Sequence, residues 1–331
     1  MSEVVAGGLL VGVLAYAIFA GADFGAGLWD LTAGGAERGR APRALIDHSI
    51  GPVWEANHTW LIYCLVVFWS AFPVPFAAVM STLYLPLGFA VLGIVLRGAG
   101  FAFRKVLTRT EHQRPGGVAF AASSVITPFF FGAVGGGIAS GRVPARGAGD
   151  PLTSWLNPIS LLTGLMAVGV CAYLGAVFLT ADARKQRDHE LERWCRRRAW
   201  LAAWVIGALS IAGLFVAHAD APRLFSRLLG PALPLTVVSV LAGVAALVLL
   251  GRVAPRLLRP LAALAVAALV LGWGVAQYPY LLGTHASVSE SAAPHASLVA
   301  VTVIFAVALA LVIPSFVLLY LLAQRSQLRE D

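Results

Sequence analysis

The sequence comprises 331 residues, of which 59% are hydrophobic and only 12% are charged, and its mean hydropathy is +0.82. This composition excludes an ordinary soluble globular protein, in which charged residues make up about 25% of the chain. The formal net charge of +8 does not indicate a nucleic-acid partner, because the basic residues are spread over loops between apolar segments. We therefore expect a polytopic membrane protein of the all-α fold class.

Nine apolar segments follow one another along the chain, each long enough to cross a hydrocarbon core of about 30 Å. The predicted spans are 4–29, 53–72, 76–97, 118–139, 157–180, 199–218, 233–251, 261–282 and 298–322. The first is not typical of a cleavable signal peptide, since it is preceded by Glu3 and by no Lys or Arg. We expect it to be a membrane span that begins outside the cell.

The loop charges test this orientation. With the N-terminus outside and nine spans, 20 of the 24 basic residues lie on the cytoplasmic side. The remaining four are Arg142, Arg146, Arg223 and Arg227. Since cytoplasmic loops are enriched in Lys and Arg, this asymmetry predicts a cytoplasmic C-terminus. The densest basic cluster, Arg193–Arg198, is interpreted as a topology and lipid anchor.

The start of the second span is unusually polar for an apolar helix. Within seven residues it contains Glu55, Asn57 and His58, flanked by Trp54 and Trp60. Glu55 and His58 are three residues apart and share a helix face, whereas Asn57 points roughly the opposite way. Such polar groups are not expected to face lipid, so the helix end is predicted to be enclosed by protein. The alternative is that both indoles belong to an interfacial aromatic belt.

Three ionisable residues are expected at similar depth on the cytoplasmic side. Asp23 lies in the inner half of the first span, Glu55 in the first turn of the second, and Arg97 at the inner end of the third. One interpretation is a salt-bridged rim that holds these helices together. The other is a proton-uptake path in which Glu55 is the relay carboxylate, with Asp23 and His58 as its neighbours.

Three sequence blocks in the first third of the chain resemble subunit II of the cytochrome bd family of quinol oxidases. They are Gly21–Gly25 (GADFG), Ser49–Trp60 (SIGPVWEANHTW) and Leu96–Arg104 (LRGAGFAFR), with Phe72–Pro73 and Tyr84–Pro86 between the last two. The blocks occur in the order and spacing of the family. Beyond them only the layout of apolar spans is similar.

The resemblance implies a function, a partner and an architecture. It implies a subunit without haem in a terminal oxidase that oxidises quinol and reduces dioxygen to water, in the bacterial cytoplasmic membrane. Haems b and d, or a second haem b in place of d, are expected in the partner, subunit I. The single membrane domain, 1–331, is expected to form two four-helix bundles, at about 1–140 and 155–282, and a peripheral ninth helix at about 298–322.

The resemblance also implies roles for individual residues. Glu55 occupies the acidic position of the family's Trp-acid-x-Asn motif, which is implicated in proton delivery toward the haem site. Trp54, Asn57, Trp60 and Arg97 are candidates for residues near the partner's haems or for a gas path. Much of the family has Asp where this chain has Glu55, and His58 replaces a more usual Gln or Glu. Both features resemble the cyanide-insensitive branch, which leaves the identity of the high-spin haem open.

Several points stay open at the level of sequence. The resemblance specifies neither ubiquinol nor menaquinol, and it is compatible with a bound quinone and a small accessory subunit. Of the seven histidines, only His58 and His218 lie in or at spans, near opposite membrane faces, so no haem is expected in this chain. The outer loop with His285, Glu290 and His295 is interpreted as a solvated loop rather than a metal site.

Two other functional classes compete with the oxidase hypothesis. A proton-coupled secondary transporter would suit intramembrane acids and an Arg, but the two halves lack corresponding Gly- or Pro-interrupted spans. A purely structural membrane subunit would use the inner charges only to hold helices together.

Overall fold

The computed structural model describes residues 1–35, 37–50, 54–106, 110–250, 255–284 and 286–324; within these ranges, the side chains of residues 54, 103–106, 110–115, 255, 256, 320, 323 and 324 lie outside the description. Twelve helices and one short two-stranded hairpin are present in this part of the chain. The elements are α1 (Ser2–Leu31), α2 (Arg40–Ile50), α3 (Trp54–Ala71), α4 (Pro73–Thr82), α5 (Tyr84–Val106), α6 (Thr110–Ala139), α7 (Pro158–Lys185), α8 (His189–Asp220), α9 (Pro222–Leu229), α10 (Leu233–Leu249), α11 (Pro255–Gln277), β1 (Tyr280–Leu282), β2 (Ala286–Ser287) and α12 (His295–Gln324). The predicted all-α class is confirmed.

Seven of the described helices are long and apolar enough to cross a membrane by themselves, and the number rises to nine if each of two bent pairs is one span. The bent pairs are α3 with α4, at 120°, and α9 with α10, at 76°. Each of the nine predicted segments overlaps one of these helices or pairs. The chain is therefore a multi-span membrane protein, as its composition indicates.

The third predicted span, 76–97, is wrong at its start. A separate helix, α4, begins at Pro73 and ends at Thr82, and the long helix α5 begins only at Tyr84. Proline is favoured in the first turn of a helix, where its missing N–H costs no hydrogen bond, so Pro73 starts α4 directly after the break at Phe72. Hydropathy alone did not indicate this break because all of these segments are apolar.

Two further elements were not expected from the sequence analysis. Helix α2 occupies the connection between the first two spans, and it is amphipathic, with Leu45, Ile46 and Ile50 buried against the core. The hairpin β1–β2 lies after α11, which ends at Gln277 and not at the predicted residue 282.

Helix α8 begins ten residues before the predicted 199, because Asp188 caps its first N–H groups.

Helices α1 and α7 form the centre of the fold. Helix α1 packs against α3, α6, α7 and α11, and α7 packs against α1, α6, α8 and α11. Their backbones approach closely at Gly25, where an added Cβ would lie 1.7 Å from the carbonyl oxygen of Cys171. Glycine is required at this crossing because any side chain would overlap the α7 backbone.

Helix α12 lies at the edge of the structure, where it packs mainly against α3 and α1. Its contacts are largely aromatic: the ring of Phe305 stacks on Tyr63 at 4.6 Å, and that of Phe316 lies 5.9 Å from Trp60. Most of its large apolar side chains are exposed, as expected for a helix that faces lipid on one side.

Candidate functional site

A buried ion pair joins α5 to α1. The Nη2 atom of Arg97 lies 2.6 Å from Oδ1 of Asp23, and the two side chains are 0% and 2% exposed. An isolated charge would be strongly disfavoured in this environment, so each residue depends on the other to be ionised there. The sequence analysis correctly brought these two residues together.

The Arg97 guanidinium has further partners on two helices, α1 and α6. It donates to the Ser124 hydroxyl of α6 at 2.8 Å and to the backbone carbonyl of Asp23 at 3.1 Å. The rings of Phe24 and Phe120 flank it, with centroids at 4.7 and 4.4 Å. Arg97 therefore links α1, α5 and α6 through charge, hydrogen bonds and cation–π contacts.

A glycine on α1 makes room for this arrangement. A Cβ at Gly27 would lie 2.2 Å from the Ser124 hydroxyl and 3.0 Å from Nη1 of Arg97. Both separations are shorter than van der Waals contact, so Ser124 and Arg97 can meet only because residue 27 has no side chain.

Asn57 brings α3 to the same cluster. Its side chain is buried, and Nδ2 donates to the Phe19 carbonyl of α1 at 3.3 Å. The polar start of α3 is thus enclosed by protein on the Asn57 side, as predicted.

His58 lies next to the cluster in a half-buried position. The centroid of its ring is 6.1 Å from that of Tyr16 and 6.2 Å from that of Phe24, both on α1. Because Phe24 also contacts Arg97, His58 and the buried ion pair share one aromatic neighbour.

Glu55 does not join the buried charges. It lies in the first turn of α3, and its side chain is exposed. Among the residues that the structure describes, it forms no ion pair with Arg97. The expected three-residue cluster is therefore wrong for Glu55, because the rotation of α3 turns Asn57 and not Glu55 toward α1.

Of the two tryptophans of the motif, only Trp60 has a described side chain. The Trp54 side chain lies outside the described residues. Trp60 is 9% exposed, and its ring lies 6.4 Å from Tyr63 and 5.9 Å from Phe316. Trp60, itself on α3, is thus packed against α12 and largely buried, which argues against the aromatic-belt interpretation for this residue.

Three residues of the cluster were missed by the sequence analysis: Tyr16, Phe120 and Ser124. Ser124 was detectable in principle, since Ser123 and Ser124 interrupt an otherwise apolar span. The two aromatic residues carry no comparable signal, because Phe and Tyr are common in membrane spans for packing alone.

Another ion pair joins the segment after α6 to the end of α8. The Asp220 carboxylate at the end of α8 accepts two hydrogen bonds from Arg142, at 2.6 and 3.2 Å, and one from the backbone N–H of Ile159 at 3.2 Å. Asp220 therefore helps to cap α7, near whose start Ile159 lies. The two side chains are 34% and 16% exposed, far more than the Arg97–Asp23 pair.

No group of three or more His, Cys, Asp or Glu side chains suited to a metal ion occurs among the described residues. His285, in the loop after α11, lies outside them, so a site that includes this residue is not covered by the observation.

The fold and site define a polytopic α-helical membrane protein with a buried intramembrane charge pair at the junction of its first helices. The sequence model of the family "Cytochrome bd terminal oxidase subunit II" matches residues 1–323, and the chain belongs to this family. The resemblance seen in the sequence blocks is confirmed, and it extends over nearly the whole chain.

Individual relatives agree with this assignment. Cytochrome bd-I ubiquinol oxidase subunit 2 of Escherichia coli K12 is 28% identical over 222 residues, which cover 63% of this chain and 56% of that protein. Cytochrome bd ubiquinol oxidase subunit 2 of Bacillus subtilis is 30% identical over 176 residues, which cover 52% and 51%. The match thus spans about half the length of these curated relatives.

A solved structure supports the fold. A chain of the bd oxidase from Geobacillus thermodenitrificans superimposes with a TM-score of 0.82, and the match covers 96% of this chain and 97% of that one. The two sequences are 24% identical, so the likeness speaks to fold alone.

Proposed function

We propose that this chain is the subunit without haem of a cytochrome bd-type terminal oxidase, in which it supports a haem-bearing subunit I and supplies a cytoplasmic proton-uptake path. The whole complex would oxidise quinol and reduce dioxygen to water. The observation that carries the proposal is the exposed Glu55 on the same helix end as the buried Asn57, Asp23 and Arg97 cluster, in a chain of this family.

The position of Glu55 supports contact with a partner or with water. A carboxylate at the end of a membrane-spanning helix is not expected to face lipid hydrocarbon. Glu55 is nevertheless exposed on the isolated chain, so another subunit or the cytoplasm must surround it in the membrane. This suits a relay that takes protons from one side and passes them toward subunit I.

Asp23 and His58 would act behind the relay. Since Arg97 compensates the charge of Asp23, we assign Asp23 to holding the Arg97 side chain in place rather than to carrying a proton itself. His58 is the titratable neighbour one turn along α3. Its ring is close enough to the rings of Tyr16 and Phe24 to be held in one orientation.

We propose a topology of nine spans, with the N-terminus outside and the C-terminus in the cytoplasm. Helices α3 and α10 have 18 and 17 residues, which correspond to about 27 and 26 Å and nearly cross the hydrocarbon core alone. Helices α4 and α9 would then lie near the outer surface. The four-helix bundles would be α1, α3, α5, α6 and α7, α8, α10, α11, with α12 peripheral.

The cofactors of the complex are expected in the partner subunit. Haem b and haem d, or a second haem b, would be bound by subunit I, where they carry electrons to dioxygen. Trp60 and Arg97 are assigned as candidates for a gas path near the subunit contact. A bound quinone and a small accessory subunit remain compatible with this arrangement.

Affinity purification through this chain from detergent-solubilised membranes, followed by a reduced-minus-oxidised optical spectrum, tests the proposal. We expect a second large membrane subunit with haem absorption bands and quinol-dependent oxygen consumption. A colourless preparation without a partner, from cells that respire with oxygen, would contradict it and favour the proton-coupled transporter.

A further inference from the structure

A three-residue contact ties the segment before Glu55 to the second half of the chain. Ser49, in the last turn of α2, donates from its hydroxyl to Oδ2 of Asp182 on α7 at 2.9 Å. The other carboxylate oxygen of Asp182 accepts a hydrogen bond from Nη2 of Arg259 on α11. Each carboxylate oxygen thus has its own donor, and three helices meet at one acid.

Arg259 is itself held against α7. Its guanidinium carbon lies 5.2 Å from the centroid of the Phe178 ring, and Nη2 also lies 3.5 Å from the Phe178 carbonyl oxygen. The side chains of Arg259 and Asp182 are 23% and 20% exposed, so the pair is screened from most of the solvent. Pairs of this kind are stronger than fully exposed ones.

Apolar packing reinforces the same contact. Ile46 and Ile50 of α2 belong to one buried cluster with Leu179 of α7 and Leu258 of α11. This packing fixes the face that α2 presents to α7, and the Ser49–Asp182 hydrogen bond fixes its position along α7. Only three residues separate Ile50 from the start of α3, and Glu55 is the second residue of that helix.

We propose that Asp182 is a positioning residue for Glu55: by binding Ser49 it fixes the end of α2 and thereby the start of α3, while Arg259 keeps its carboxylate oriented. Among the described residues, Asp182 contacts neither Glu55 nor the buried Arg97–Asp23 pair; its side-chain partners are Ser49 and Arg259. The inference rests on the proposed relay role of Glu55. It adds that residues from the second half of the chain decide how well that relay is placed.

The test uses the purified, assembled complex and measures oxygen consumption with a short-chain ubiquinol or menaquinol, whichever the unmodified complex oxidises. In Asp182→Asn we expect kcat to fall about three- to tenfold at unchanged KM for quinol, since a misplaced relay slows proton delivery but not quinol binding. Ser49→Ala should act in the same direction and more weakly. It removes one hydroxyl only, so it keeps the test valid if Asp182→Asn does not assemble.

Glu192→Gln is the matched control. Arg184, two residues after Asp182 on α7, binds Glu192 at 2.5 Å, and this pair holds α8 rather than α2. The control breaks an ion pair at the same end of the same helix. Its kcat should stay within about twofold of the unmodified complex.

A double-mutant cycle with Glu55→Asp separates positioning from general stability. The shortened carboxylate still relays protons but depends more on its placement, so we expect the combined rate loss to differ from the product of the single losses by more than about twofold. Multiplicative losses, or an Asp182→Asn complex with unchanged kcat, would overturn the positioning role. If Glu55→Gln leaves the rate unchanged, the proposed relay fails as well; if it slows the rate while Asp182→Asn does not, only the positioning role fails.

Discussion

The guanidinium of Arg97 and the carboxylate of Asp23 meet at 2.6 Å in a part of the fold where neither side chain is accessible to solvent by more than 2%. Helices α5 and α1, which carry them, are far apart in sequence. Their charges compensate each other only when both helices are in place, and Ser124 of α6 accepts a further hydrogen bond from Arg97. This pair therefore couples the assembly of three helices.

Removing one partner of the pair should destabilise the protein strongly. In Arg97→Gln the Asp23 carboxylate stays buried without its counter-charge, which costs roughly 3–5 kcal/mol. We expect a large loss of assembled complex and a lower thermal midpoint in detergent, measured by fluorescence-detected size-exclusion chromatography after heating. The more exposed Arg142–Asp220 pair provides the control, since Arg142→Gln should cost about 1 kcal/mol or less. Equal effects of the two substitutions would contradict this account.

The close approach of α1 to α7 predicts a steric effect at Gly25. Gly25→Ala places a methyl group 1.7 Å from the Cys171 carbonyl oxygen, and relief requires the two backbones to separate. We expect a destabilisation of about 1–3 kcal/mol or more, measured by the same thermal assay. Gly7→Ala, on the same helix with nothing within 4 Å of the added Cβ, should be close to neutral. A Gly25→Ala protein as stable as Gly7→Ala would disprove the contact.

Neutralising the exposed carboxylate of the motif should affect turnover and not assembly. In Glu55→Gln, which cannot exchange a proton, we expect the rate of oxygen reduction to fall by roughly 10²-fold, with haem content and stability unchanged. Glu3→Gln, at an exposed acid in the first turn of α1, serves as control and should leave the rate unaltered. A normal rate in Glu55→Gln would leave only a structural role for the motif.

The turn before α7 predicts a small dependence of stability on pH. Backbone N–H groups of Thr153 and Leu152 donate to Asp150, which lowers the pKa of this carboxyl below its usual 3.8. A lowered pKa in the folded state stabilises the protein above the unfolded value, and this contribution is lost as the pH falls through the folded pKa. Asp150→Asn should therefore lower the thermal midpoint slightly at pH 7, and the difference should shrink as the pH falls below about 4 and vanish only below the folded pKa of Asp150. A constant difference across that range would exclude this source of stability.

The proposed orientation can be tested with fusions. A fluorescent protein fused after the C-terminus should fluoresce, and alkaline phosphatase fused there should be inactive, because that end is expected in the cytoplasm. Phosphatase fused in the loop after Gly147, between α6 and α7, should be active. The reverse pattern at both sites would show that the orientation is the opposite of the proposed one.

Sequence patterns determined the membrane class and most of the span positions. A helix that crosses about 30 Å of hydrocarbon needs about 20 apolar residues, and this requirement leaves a signal in hydropathy that depends on no tertiary contact. The family assignment was likewise readable from the three sequence blocks, because they preserve residue identity and spacing. The pairing of Asp23 with Arg97 followed from the alternating directions of the spans.

Tertiary structure decided which residues face one another. Asn57 and Glu55 are two positions apart on α3, and only the rotation of that helix against α1 turned Asn57 inward and left Glu55 exposed. Packing likewise set the position of α2, whose link to α7 through Ser49 and Asp182 spans 133 residues of sequence. A rotation of about 100° per residue moves a side chain from one neighbour to another without changing its depth or its hydropathy. That is why the sequence predicted the meeting of Asp23 with Arg97, and only the packed helices showed that Asn57 and not Glu55 lies beside them.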